Sequence, residues 1–181
     1  MAFFDKQHQF DIQKLEGLWK KLVDLEDLAK SRGINDIFQD NGAKVLQQLI
    51  ISNMKFLPGR EGNDAEDRNG VEWEFKSVNI DTFARGFSTD HHTTVNLLDR
   101  FNSVPWLFSI YKGIHLQEMY VVSPGGLDEW VAKQKAGLTK HWKTNKDYEL
   151  NNPKISIKYV KSHGILVYPF PNPPVDPANF D

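Results

Sequence analysis

Gly62-Asn63-Asp64 stands ten residues ahead of Glu74-Phe75-Lys76, and these six positions hold the densest chemistry in the chain. The run from Val71 to Ile80, with Trp73, Phe75 and Val78, has strand composition. Side chains alternate faces along a strand, so Glu74 and Lys76 point to one side while Trp73 and Phe75 point into a core. If the preceding turn folds back, Asp64 joins Glu74, and two hard oxygen ligands with the Phe75 carbonyl make a site for Mg²⁺. Such a cation binds a phosphodiester oxygen, lowers the pKa of its own water and stabilises a leaving alkoxide; Lys76 would orient or deprotonate the attacking water. Charged residues also alternate on the exposed face of many ordinary strands, and the residues alone leave that reading open. The glycine-rich approach, with Glu61 as a further acid, strengthens the metal reading.

Several elements must frame this site. Asp11 can cap a helix whose apolar positions Ile12, Leu15, Leu18, Leu22, Leu25 and Leu28 recur at three- and four-residue steps, with Gly33 placed to end it. Leu15, Leu18, Leu22 and Leu25 keep heptad a/d spacing, which serves either a core of the chain's own or self-association. A second helical pattern covers about Asn41 to Asn53, with Val45, Leu46, Leu49 and Ile50 on one side. Leu57 to Gly70 reads as a loop. A helix is expected from about Thr93 to Phe101, then a hairpin of Val104–Tyr111 and Ile114–Val122 around Lys112-Gly113. A helix near Leu127–Lys140 and two short strands, Ile155–Val160 and Gly164–Tyr168, complete the expected domain. The tail from Pro169, with five prolines in nine residues, is expected to be extended or disordered.

With 181 residues, 40% hydrophobic, the chain has material for one good core in a single α/β or α+β domain. The absence of cysteine excludes disulfides, thiolate nucleophiles and thiolate zinc sites. No apolar stretch approaches the roughly 20 residues that span a bilayer, and no basic region leads into an apolar run; the expectation is a soluble, untargeted chain with no membrane partner. The net charge of −2 argues against bulk electrostatic coating of DNA, but its distribution is uneven. Residues 1–100 carry 13 basic and 17 acidic side chains, residues 101–165 carry 9 and 5. The lysines between 133 and 161 could follow phosphates, or form a solvated surface.

Several long and compositionally unusual blocks resemble the PvuII-type restriction endonucleases. They are Gly33-Ile34-Asn35-Asp36-Ile37-Phe38-Gln39-Asp40-Asn41-Gly42, Leu57-Pro58-Gly59-Arg60-Glu61-Gly62-Asn63-Asp64-Ala65, Phe87-Ser88-Thr89, Val104-Pro105-Trp106 and Asn151-Asn152-Pro153-Lys154-Ile155. The resemblance runs in one order from the first helix to Tyr168. It implies an α/β (α+β) core of the PD-(D/E)xK nuclease type, a mixed β-sheet flanked by helices, with the motif on Asp64, Glu74 and Lys76. Asn63 takes the place of the motif's proline, and Glu61 falls on a family acid next to the site.

The same resemblance implies a reader of DNA bases. Ser88-Thr89-Asp90-His91-His92 is similar to the family's histidine-rich major-groove segment, and imidazole can donate to guanine O6 or N7. By themselves the two histidines also admit a zinc site or a surface loop, although neighbours on a strand face opposite ways. Asn151 and Asn152 match a base-reading asparagine pair; without the family, Asn-Asn-Pro is a turn. Asp40 resembles an acid that reaches the minor groove, and is otherwise a helix cap. The chain departs from the family twice: Asp90 replaces the first of three histidines, and Phe101 replaces a tyrosine near the scissile phosphate.

The implied protein is a bacterial cytoplasmic type II site-specific deoxyribonuclease that cuts both strands of double-stranded DNA as a Mg²⁺-dependent homodimer. Its implied site is palindromic, of the CAGCTG kind, with blunt ends carrying 5′-phosphate and 3′-hydroxyl, and its host needs a protecting DNA methyltransferase. The expected organisation is one endonuclease domain over 1–168, with a dimerisation helix at about 11–33, a catalytic region at about 57–122 and a recognition region at about 123–168, followed by the tail 169–181. The alternatives are a related nuclease of relaxed specificity and a DNA-binding relative whose nuclease site has decayed.

Overall fold

A computed structural model describes residues 6–58, 62–142 and 149–179, in two compact units, Met1–Gln47 and Gln48–Asp181. In the first unit, helix α1 (Lys6–Ser31) starts ahead of Asp11, since no glycine or proline between Lys6 and Phe10 halts it. Asp11 is therefore inside the helix and not its cap. The end is where the sequence puts it. Gly33 adopts φ 86°, its N–H bonds the Lys30 carbonyl at 3.0 Å, and the Ile34 N–H bonds the Ala29 carbonyl at 3.0 Å. Those two bonds form a Schellman stop, which needs the left-handed φ that glycine adopts without strain. Along the stripe, Leu15 and Leu18 are 57% and 50% exposed, and Leu22 and Leu25 are half-buried.

After α1, Asp36 Oδ1 accepts from the N–H groups of Phe38 and Gln39 at 2.8 and 3.3 Å, so Asp36 caps the 3₁₀ turn Gln39–Asn41. Asp40 lies within that turn; its side chain is outside the described residues. Helix α2 (Gly42–Ser52) matches its expected span, with Leu46 and Leu49 buried. Its apolar side is rotated from the expectation: Ile50 is exposed, and Gln48 is buried where its amide donates to Ser109 Oγ at 2.9 Å. A buried amide is tolerated there because it has that partner.

The second unit continues with β1 (Lys55–Phe56), β2 (Ala65–Glu66), β3 (Glu72–Asn79), β4 (Gly86–Ser88), α3 (Val95–Arg100), β5 (Trp106–Lys112), β6 (His115–Val122), α4 (Asp128–Trp142), β7 (Lys154–Ser156), α5 (Ile157–His163) and β8 (Ile165–Tyr168). Six strands form one sheet in the order β1-β2-β3-β5-β6-β8, mostly antiparallel, with β3 and β5 parallel. The fold is thus mixed α+β, a six-stranded sheet flanked by helices. β5 is buried from Trp106 to Tyr111, so both sheet faces are covered. On one face Val78, Trp106, Phe108 and Ile110 meet Leu98 of α3 and Trp130 and Leu138 of α4. Full burial of each such side chain stabilises by roughly 1.5–3 kcal/mol.

Three stretches differ from expectation. Leu57–Gly70 is not wholly loop: Ala65-Glu66 pair with Glu72-Trp73, and the turn between is tied by Asp67, whose Oδ1 accepts from Asn69 and Val71 N–H and whose Oδ2 accepts from Trp73 Nε1. Ile155–Val160 is not one strand. Ser156, extended at φ −69°, ψ 148°, accepts from the Tyr159 N–H and starts α5, a local cap that outweighs the β-branched composition. Among the described residues the Pro-rich tail has no strand or α-helix but includes a 3₁₀ turn, Pro177–Asn179, held to the Asp67–Gly70 turn: Arg68 pairs with Asp176 at 2.8 Å and the Asn69 amide donates to the Ala178 carbonyl at 2.9 Å.

β4 and β7 form a separate antiparallel ribbon, Phe87 opposite Ile155 and Ser88 opposite Lys154. Its close approach depends on Gly86, where a Cβ would lie 2.6 Å from the Ile155 carbonyl oxygen. Because backbone cannot yield as a flexible side chain does, Gly86→Ala should cost about 1–3 kcal/mol. Thermal unfolding should show a melting temperature lower by several degrees; an unchanged value would mean that the ribbon relaxes freely.

Candidate active site

The β2–β3 turn brings Asp64 back onto the strand that carries Glu74. The Asp64 N–H bonds the Trp73 carbonyl at 2.9 Å, and Asp64 Oδ2 accepts from the Phe75 N–H at 2.7 Å. Gly62, at φ 137° in the connection from β1 to β2, leads to Asp64 in a conformation open to glycine. Glu74 donates its own N–H to the Pro105 carbonyl on the β5 side. Since alternate residues of a strand direct their backbone groups to opposite edges, the Phe75 carbonyl faces the Asp64 edge. Lys76 Nζ lies 2.5 Å from Glu74 Oε1, 3.6 Å from Asp90 Oδ1 and 5.6 Å from the Trp106 ring centre. Asp64, Glu74, Lys76 and Asp90 line a cleft of about 400 Å³ with Arg100, Phe101 and Trp106.

The expected alternation along β3 holds, with Trp73 and Phe75 buried. The side of Glu74 and Lys76, however, is also a core face. Glu74 is opposite Trp106, Lys76 opposite Phe108 and Val78 opposite Ile110. Only the cleft opens that face, so the carboxylates are held against aromatic surface and the charged forms lose hydration. Burial raises the pKa of Asp64, partly offset by the Phe75 N–H and the Lys76 charge. It pushes Glu74 to about 7, against the pull of Lys76 and with added repulsion from Asp64. Burial alone would lower Lys76, but Glu74, Asp90 and Asp64 together hold its pKa above the usual value.

This donor set fits a divalent cation. Three acids, Asp64, Glu74 and Asp90, line the cleft against the cations Lys76 and Arg100, and burial disfavours the charged form of two of them, which added positive charge would favour. Among the described residues no three or more histidine or acid side chains form a ready cage. Magnesium does not need one: it commonly takes one or two carboxylates and completes its shell with water and phosphate.

A pH dependence follows, with its sign fixed by Glu74. The folded value of about 7 exceeds the ordinary 4.5, so the native state holds the proton more tightly and stability falls as pH rises from about 4.5 through about 7. A dication competes with that proton and offsets the repulsion left after it departs. Mg²⁺ should therefore raise the melting temperature clearly at pH 8 and little at pH 6; equal shifts at both would place its site elsewhere.

The second cluster lies on the ribbon. His91 Nδ1 is 2.7 Å from Asn151 Oδ1, and His92 Nδ1 is 3.0 Å from Glu149 Oε2. Lys154 Nζ donates to Ser88 Oγ, and Thr93 and Leu150 form a β-bridge. Ser88 ends β4, and His91, Asn151 and Asn152 lie in the two segments just beyond the paired strands, which the Thr93–Leu150 bridge holds together. His92 and Asn152 both have left-handed backbone, at φ 56° and 53°, and Asn152 Oδ1 is buried with no hydrogen-bond partner among the described residues. The two imidazoles turn to different partners. Glu61 lies outside the described residues.

Phe101 is buried, its ring edge-on to Trp106 at 5.0 Å, and forms part of the cleft wall. Arg100, beside it in the last turn of α3, also lines the cleft and was not singled out by sequence reasoning. The available signal was a basic residue directly before Phe101, a position already tied to the scissile phosphate by resemblance.

A family model described as restriction endonuclease PvuII matches residues 10–168, a span that contains the stripe of α1, the cleft and the ribbon and leaves out the Pro-rich tail. That extent covers most of the 181 residues, and the chain therefore belongs to the PvuII family of restriction endonucleases, nucleases of the type II class.

Proposed function

We propose that the protein hydrolyses phosphodiesters in both strands of a palindromic DNA duplex, with Mg²⁺ held by Asp64, Glu74 and the Phe75 carbonyl. The observation that carries this reading is the half-buried pair of acids, Asp64 and Glu74, beside Lys76 in one cleft whose lining also includes Asp90 of the segment that holds His91. When bound, the cation supplies charge for the scissile phosphate and acidifies water. Asp64 and Glu74 fix its place. Lys76, held charged by its acidic neighbours, orients the attacking water and offsets charge developing on phosphorus, and is poorly suited to take a proton. Arg100 contacts a phosphate oxygen from the opposite wall, and Phe101 keeps water from the rear of the cleft.

Recognition is assigned to the β4–β7 ribbon, since a major groove admits a two-stranded element. Ser88, His91, His92, Asn151 and Asn152 meet base edges, and Asp40 serves the minor groove. The palindrome is of the CAGCTG kind, cut to blunt ends by a homodimer joined through α1, and a methyltransferase of the same system protects host DNA. His91→Ala and Asn152→Ala should each reduce the preference for the cognate duplex over random DNA by about 1–3 kcal/mol in competition binding. Equal losses on both DNAs would make these residues phosphate contacts or parts of the fold.

Incubation with supercoiled plasmid tests the reaction. Linear product with Mg²⁺ and none with a chelator supports it; plasmid left intact under both conditions rejects it.

A further inference from the structure

The reader segment touches the catalytic cleft through one side chain. Thr89 N–H and Oγ1 both bond the Pro153 carbonyl, His91 meets Asn151, His92 meets Glu149, and Thr93 bridges to Leu150. Every one of these contacts ties residues 89–93 to residues 149–153. Asp90 departs from the pattern. Its carbonyl accepts from Thr93 Oγ1 at 2.7 Å, within the segment, while its carboxylate turns into the cleft and lies 3.6 Å from Lys76 Nζ. Lys76 is thereby shared between an acid of the strand, Glu74, and an acid of the reader.

We propose that Asp90 is a positioning residue that couples base recognition to cleavage by setting where the Lys76 ammonium stands.

Lys76 is 18% exposed and Asp90 46% exposed, so the ammonium is confined while the acid can follow a shift of its segment. A long flexible amine takes its place from the negative charges around it. Glu74 gives the same pull whatever DNA lies in the cleft, because it is fixed on β3 between β2 and β5. Asp90 does not, because its backbone moves with His91 and His92. With correct bases the segment seats fully and Asp90 draws Lys76 to the phosphate side. With a wrong base pair the histidines sit off their edges, Asp90 is displaced, and Lys76 collapses onto Glu74. Recognition is then checked twice, once in binding and again in the chemical step, and the second check depends on a carboxylate at position 90.

This inference rests on the proposed nuclease reading, and its test separates the two. Wild-type protein, Asp90→Asn and Asp90→Glu are compared on a cognate duplex and on one with a single base pair changed, by binding without metal and by single-turnover cleavage with Mg²⁺. Asp90→Asn should keep the binding preference within about twofold and lose about tenfold or more of the cleavage preference. Asp90→Glu, whose carboxylate still reaches Lys76, should recover much of it. Parallel loss of both preferences in Asp90→Asn overturns the inference by making Asp90 part of the segment's fold, and no change in either overturns it by leaving Lys76 to Glu74 alone. A wild-type protein that cuts without site preference removes the underlying reading as well.

Discussion

Asp64→Asn and Glu74→Gln are each expected to slow cleavage at least about a thousandfold, equivalent to about 4 kcal/mol of transition-state stabilisation. These substitutions preserve shape. An amide oxygen at position 64 can still accept from the Phe75 N–H that now bonds Asp64 Oδ2 at 2.7 Å, so the β2–β3 turn is kept. What disappears is the charge that would hold the proposed dication, whose contribution to phosphoryl chemistry is several kcal/mol. Stability should not suffer at pH 8, because burial disfavours the charged form of both wild-type carboxylates and a neutral amide escapes that cost. Binding to duplex DNA without metal should persist or tighten, since a negative charge facing phosphate is removed. Either variant cutting at near wild-type rate in Mg²⁺ would mean that the metal site is wrongly assigned.

Leu18→Asp should convert double-strand cutting into slow nicking or abolish it. Leu18 and Leu15 stand half-exposed on α1, in a/d register with Leu22 and Leu25, and in the proposed homodimer this stripe packs against its copy in a twofold pair. In that proposed pair an aspartate would meet its own mate across the axis, away from water and without a cation, at a cost of roughly several kcal/mol to association. Folding of the chain is spared because the position already contacts solvent. A monomer presents one active site to one strand, so the two cuts lose their coordination. Sedimentation velocity checks the first half and a plasmid nicking assay the second. A folded variant that is still a tight dimer would place the interface away from α1.

The site was legible where local rules decide. Alternation alone put Glu74 and Lys76 together, and a turn folding back onto the strand made Asp64 their companion, which the family blocks then supported. Burial of their face was not legible, because it comes from Trp106 and Phe108 on the parallel strand β5, a pairing no local pattern encodes. The convergence of His91 with Asn151 was hidden for the same reason: each lies in a turn, and the β4–β7 pairing joins them. Ile155–Val160 misled because its β-branched residues favour strand, while one serine hydroxyl at position 156 starts a helix. The stop of α1 at Gly33 was readable since glycine at a helix end has a single strong mechanical meaning.

The most direct test is to digest one sequenced plasmid with the wild-type protein in Mg²⁺ and to sequence the fragment ends. Discrete fragments whose blunt ends all divide one palindrome, with 5′-phosphates that ligate without treatment, are the expected result. A smear of unrelated ends would contradict site-specific cutting, and intact plasmid would contradict the assignment of Asp64, Glu74 and Lys76 to hydrolysis.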